Sequence, residues 1–222
     1  MIEINALHFS RLDGDRPRPI LQDLNLSLPE GAQCSLVGDS GTGKTTLLNL
    51  LAGLEPCQRG YIRVLGRDLC SKSARELALY RRHIGIVFQH FQLLDSLTVR
   101  DNLLFPHRLL GRTGAPTRLN ALCAALGIDH LLKRYPNQLS GGEQQRVAVC
   151  RALVHEPGLV LADEPTGNLD EANSVNVVQQ MKRLAEEQGS TLLMVTHSRS
   201  LAAGFEHRLR LHNGQLSAGN GP

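Results

Sequence analysis

Gly38-Asp39-Ser40-Gly41-Thr42-Gly43-Lys44-Thr45 matches the pattern G-x-x-x-x-G-K-[ST]. The short apolar run Gln33–Val37 leads into it. From Lys44 the periodicity turns helical, with Leu47, Leu48, Leu51 and Leu54 recurring at three- and four-residue spacing. Strand, glycine-rich loop and helix together make a phosphate cradle. The glycines let the backbone turn tightly with its N–H groups inward. Those groups, with the positive end of the following helix, attract polyphosphate. Lys44 can reach the β and γ phosphates, and the Thr45 hydroxyl can ligate Mg²⁺. Thr46, in the same first turn, belongs to the cofactor-binding set.

Away from the loop, strand and helix patterns alternate. Residues 2–9 and 20–28 alternate apolar and polar, as half-buried strands do. Residues 13–19, charged and rich in Pro and Gly, read as a turn region. Residues 61–65, 84–88 and 191–196 read as strands. Residues 95–155 read mostly helical, with Leu103, Leu104, Leu122, Ala125 and Leu126 at helical spacings. Val177, Met181, Leu184 and Ala185 mark an amphipathic helix. Residues 209–216 suggest a hairpin around Asn213-Gly214. Short, fully apolar strands between helices predict an α/β core with a parallel sheet. The chain is expected to be one domain over residues 1–222, with an antiparallel β subdomain and an inserted helical subdomain at about 95–150.

A second apolar run, residues 159–162, ends in Asp163-Glu164. Ligands of open α/β sheets bind at the carboxyl ends of strands. Asp163 is therefore a candidate to hold Mg²⁺, and Glu164 to polarise the water that attacks the γ-phosphate.

Composition narrows the class. At 222 residues and 41% apolar, the chain can bury a sizeable core. A net charge of +3, 4% aromatics and no Trp argue against nucleic acid as a partner. No stretch approaches the roughly 18–20 apolar residues of a membrane span, and the first residues carry no basic, then apolar, leader pattern. The five cysteines, Cys34, Cys57, Cys70, Cys123 and Cys150, are odd in number and form no C-x-x-C pair. They read as reduced thiols.

Leu139-Ser140-Gly141-Gly142-Glu143, continued by Gln144-Gln145-Arg146-Val147, supplies a second anion-binding loop opening a helix. A single nucleotide has no intramolecular need for two such loops. Here the sequence resembles the ATP-binding cassette family, whose signature is LSGGQ or LSGGE. That resemblance implies an ATPase working as a homodimer. Each ATP would lie between the phosphate loop of one copy and Ser140, Gly141, Gly142 and Glu143 of the other. It makes Gln89 a contact to metal and attacking water, and His197 a contact to the γ-phosphate. The loop Gly167-Asn168-Leu169-Asp170 would link the two sites. The resemblance covers nearly the whole chain through six ordered motifs. It implies a cytoplasmic subunit held at the inner face of the membrane by a separate permease. A cassette acting on DNA or ribosomes is the alternative, though the long coiled-coil insert or second cassette usual there is missing.

Two positions depart from the family pattern. Arg11 stands about where an adenine-stacking tyrosine is common, with Phe9 two residues earlier, and a guanidinium can also stack on a base. Ser198 replaces the Asp that usually follows the histidine. The run from Leu161 to Asp170 is most similar to the LolD, MacB and FtsE subgroup, whose members pair with permeases carrying a large extracytoplasmic domain. Phe91, Leu93, Leu94, Leu97 and Leu103, following Gln89, are candidates to line an apolar groove for a permease helix.

Overall fold

A computed structural model describes residues 1–114, 116–167 and 169–219. Asn168, singled out above, lies outside the described residues. In chain order the strands are β1 (Ile2–Asp13), β2 (Arg16–Leu28), β3 (Gln33–Val37), β4 (Arg59–Val64), β5 (Arg67–Asp68), β6 (Ile84–Val87), β7 (Leu159–Asp163), β8 (Thr191–Val195), β9 (His207–His212) and β10 (Gln215–Ala218). The helices are α1 (Lys44–Leu51), α2 (Ala74–Arg81), α3 (Val99–Leu109), α4 (Leu119–Ala125), α5 (Gly141–Leu153), α6 (Glu171–Glu187) and α7 (Arg199–Ala203). They form two compact units, residues 1–81 with the segment from 191 onward, and residues 82–190.

The first unit holds an antiparallel sheet in the order β2-β1-β4-β5 and a parallel group in which β3 pairs with both β8 and β9. Alternation along β1 and β2 buries Ile2, Ile4, Leu7, Phe9, Leu21, Leu24 and Leu28. The expected turn over residues 13–19 is shorter than the composition suggests. Leu12 pairs with Pro17 and Ser10 with Pro19, so both prolines sit inside β2. They are tolerated because β2 is an edge strand, where a missing N–H breaks no ladder bond. The hairpin of β9 and β10 forms where expected, with Asn213 (φ 47°) and Gly214 (φ 75°) in the left-handed conformation that a tight hairpin turn requires. Helix α2 has no counterpart in the expectations. Only Tyr80 on it is buried, donating its hydroxyl to the Leu51 carbonyl at 2.7 Å.

Cys57 and Cys70 correct the reading of five reduced thiols. They form a disulfide with Cα atoms 5.0 Å apart. The loop after α1 and the residue just past β5 are brought together by the β4–β5 hairpin, which a separation of 13 residues does not announce. The other three cysteines are free and buried. Burial pushes the Cys34 thiol up to about 12, so it stays protonated.

In the second unit β6 and β7 run parallel, Ile84 opposite Leu159 and Val87 opposite Ala162. The described residues between these strands contain helices and no strand, as the periodicity predicts. Helix α5 packs on β6 so closely that a Cβ on Gly85 would collide with the Ala152 carbonyl. His155, just past α5, bonds the Ile84 carbonyl through Nε2 at 3.2 Å.

Candidate active site

The phosphate loop follows β3 in the first unit. Register pairs Leu36 with Val195, and Thr196 donates to the Leu36 carbonyl, so Gly38 and His197 leave the sheet from adjacent carboxyl ends. Gly43 has φ 104°, and a Cβ there would meet Ile20 Cγ2 at 2.7 Å, so only glycine fits. Lys44 is buried and spans the loop, donating to the carbonyls of Gly38 (2.9 Å) and Asp39 (2.8 Å). The Thr42 hydroxyl closes a further turn onto the Asp39 carbonyl at 2.9 Å. No side chain caps α1 at Gly43, and its first turn contains no acid. The helix thus brings no carboxylate of its own to its positive end, which fits a polyphosphate. Ser40 and Thr45 are exposed at this end, and Thr46 is buried beneath it.

Arg11 does not present a bare guanidinium. It pairs with Glu55 at 2.8 Å, and the neighbouring Ser10 backbone is clasped at both N–H and carbonyl by the Gln58 side chain. Ser198 takes over a local task, since its hydroxyl accepts from the Leu201 N–H and caps α7.

The second unit gathers Gln89, Asp163 and Glu164. Because Val87 is opposite Ala162, the residues that follow emerge side by side. Asp163 ends β7. Glu164 adopts φ 48°, a left-handed conformation that costs energy in a side-chain-bearing residue and turns the chain sharply at the strand end. The Gly167 N–H closes this turn on the Glu164 carbonyl, and Gln89 Nε2 lies 3.8 Å from where a Gly167 Cβ would stand. Within this unit, the amide oxygen of Gln89 and the carboxylate of Asp163 are hard donors of the kind that suit Mg²⁺.

At the start of α5, Ser140 and Glu143 form a capping box. Ser140 Oγ accepts from the Glu143 N–H at 3.3 Å, and Glu143 Oε2 accepts from the Ser140 N–H and hydroxyl, each at 2.7 Å. The Ser140 hydroxyl holds the Glu143 carboxyl below its usual range. Gly142 lies 3.3 Å, from an added Cβ, to Leu169 of the following loop.

Two residues that pattern reading misses organise the segment after Gln89. Arg151, half-buried on α5, donates to the Phe91 carbonyl at 2.7 Å and to the Gln92 carbonyl. Both recipients are left-handed, with φ 54° and 48°. Asn102, fully buried on α3, accepts from the Leu94 N–H and donates to the Leu94, Leu97 and Thr98 carbonyls. An Asn directly before Leu103-Leu104 in a helical run is the one signal that the sequence offers for it.

A family model described as ABC transporter matches residues 21–167. The chain belongs to the ABC transporter family. The lipoprotein-releasing system ATP-binding protein LolD 1 of Rhodopirellula baltica is 40% identical over 219 residues, covering 97% of this chain and 96% of that protein. LolD of Zymomonas mobilis is 39% identical over 97% of this chain and 94% of its own length. An ABC transporter ATP-binding protein of Escherichia coli, YbbA, is 41% identical over 97% and 96%. The cassette MJ0796, in a dimeric post-hydrolysis structure bound to ADP and Pi, superposes with a TM-score of 0.90 at 31% identity, with both chains covered completely.

This ABC protein is thus an ATP-binding, ATP-hydrolysing subunit of LolD type, and its α/β architecture is that of the family's cassettes. Its relatives are transporter subunits, so a cassette acting on DNA or ribosomes is not favoured. Among the described residues no helix is long and apolar enough to cross a membrane.

Proposed function

We propose that this chain is the MgATP-driven subunit of a transporter that releases lipoproteins or otherwise does mechanical work on the outer side of the membrane. The whole chain serves as one cassette domain, with about 95–150 as its helical subdomain. The β and γ phosphates are held by the N–H groups of residues 38–46 and by Lys44. Arg11, aligned by Glu55, lies against the base. Mg²⁺, held by Thr45, Gln89 and Asp163, supplies countercharge for the transferred phosphoryl group. Glu164 takes the proton of the attacking water, Gln89 orients that water, and His197 bonds the γ-phosphate. Ser140, Gly141, Gly142 and Glu143 meet the nucleotide of a second copy, so ATP closes a homodimer and hydrolysis reopens it.

The observation that carries this reading is the register of Val87 opposite Ala162, which sets Gln89 beside the Glu164–Gly167 turn. The permease partner, of the kind with a large extracytoplasmic domain, keeps the chain at the cytoplasmic face. Of the candidate groove residues, Leu94 is exposed, whereas Leu103 is fully buried and belongs to the core instead. Phe105 and Leu109 on α3 are exposed and take its place.

Glu164→Gln tests the chemistry. Turnover is expected to fall ~10²–10⁴-fold with ATP binding retained, the usual worth of a general base. Normal turnover in this variant would remove Glu164 from the mechanism. A permease with no extracytoplasmic domain, recovered in pull-down, would sink the subgroup and leave the cassette reading standing.

A further inference from the structure

A cleft of about 680 Å³ opens in the first unit between α7 and the β9–β10 hairpin. Its lining includes Gly38, Asp39 and His197, and with them Arg199, Arg208 and Arg210. Strand periodicity explains two of these. Arg208 and Arg210 alternate with Leu209 and Leu211 and so share one face of β9. They stand in register with Ser35 and Val37 of β3, while Ser217 of β10 lies opposite Arg210. Arg199 joins them as the first residue of α7.

The charge here is unbalanced. Asp39 is the only carboxylate lining the cleft, against three guanidiniums, and none of the three arginines has an ion-pair partner among the described residues. Three fixed positive charges converging on a concave surface raise the local concentration of anions. Guanidinium also matches phosphate oxygens in bidentate geometry better than an ammonium does. Ala202, Ala203 and Ala218 keep the floor shallow, leaving room for more than a bare ion.

We propose that this cleft, which adjoins the phosphate loop at Gly38 and Asp39, is a second oxyanion site that takes a phosphate-bearing ligand through Arg199, Arg208 and Arg210, away from Lys44. Neither Lys44 nor the backbone of residues 40–46 lines it, and the α1 end is not needed to form it. The site goes beyond the ATPase reading and does not require hydrolysis. Its ligand is free phosphate, product phosphate included, or the headgroup of an anionic phospholipid.

The test uses the full chain carrying Lys44→Ala, so that the phosphate loop no longer competes. Inorganic phosphate is titrated by calorimetry. In parallel, the protein is co-sedimented with vesicles of phosphatidylcholine with or without phosphatidylglycerol. Saturable one-to-one phosphate binding, weakened at least tenfold by Arg208→Ser with Arg210→Ser, is expected for a free-phosphate site. Sedimentation that depends on phosphatidylglycerol and is lost in the same variant assigns the lipid headgroup instead. Arg199→Ser, on a different element, must show the same loss, which guards against a misfolded hairpin. Binding of both probes undiminished by these substitutions, or binding of neither, overturns the proposal.

Discussion

The hydroxyl of Ser140 donates to the carboxylate of Glu143 at 2.7 Å, across the first turn of α5. The serine proposed to meet the nucleotide of a second copy is therefore engaged by a carboxylate of its own chain. Glu143→Ala is expected to cost roughly 0.5–2 kcal/mol, the value of a helix cap, while Glu143→Gln keeps the reciprocal box. Urea unfolding of the two variants distinguishes them. The pH sense follows from the lowered carboxyl. The stabilisation is present above the ordinary carboxylate range and is lost as pH falls through the depressed folded value.

His155 predicts a second pH effect. Burial lowers its imidazole to about 4, so the folded state excludes a proton that the unfolded chain accepts near 6.5. Its contribution is present above about 6.5 and drains away between there and about 4, a loss of roughly 3 kcal/mol. His155→Gln should flatten the dependence of Tm on pH across that window. An unchanged slope would place the acid sensitivity elsewhere.

Arg151 should matter for the conformation after Gln89. Arg151→Met leaves the Phe91 and Gln92 carbonyls without their donor, at about 1–3 kcal/mol each. The left-handed pair is then expected to relax, and limited proteolysis should cut near Phe91 faster than in the parent. Equal cleavage rates would show that the two bonds do not hold the segment.

The trans arrangement can be checked by mixing. Neither Lys44→Ala nor Ser140→Arg homodimers have an intact composite site, whereas the heterodimer keeps one. ATP-dependent crosslinking across the interface should appear only in the mixture. Its absence there rules out sharing of the nucleotide between copies.

Leu94, Phe105 and Leu109 are exposed apolar residues of the second unit. Replacing all three with Ser is expected to lower permease capture at least tenfold with ATP affinity unchanged. A parallel loss of ATP affinity would mean that the substitutions damage the fold rather than a docking face.

The phosphate loop, the Asp163-Glu164 strand end and the Asn213-Gly214 hairpin were legible because each joins a periodic run to residues with one backbone solution. The 13–19 segment misled because Pro usually ends a strand, and only the sheet order reveals that β2 has a free edge. Helix α2 was hidden by its weak amphipathicity, with one buried side chain in eight residues. Leu103 and Phe105 could not be sorted into core and surface, since a helix presents either face until its neighbours are known. The cysteine pair and the Arg cleft are products of tertiary proximity, to which local pattern is blind. Gly85 shows the same limit, since its need for a missing Cβ arises from a carbonyl 67 positions away, 152 less 85.

The four bonds of the Asn102 side chain have a mechanical consequence. They clamp residues 94–98 to the first turn of α3 with no slack, so the two behave as one stiff piece. Force applied by a permease to the exposed face of α3 is not absorbed by a compliant loop. It would be delivered to residues 94–98 and on to the left-handed pair Phe91-Gln92, which Arg151 pins just past Gln89. The carboxamide acts as a rivet, and the stiff linkage runs up to the residue proposed to orient the attacking water.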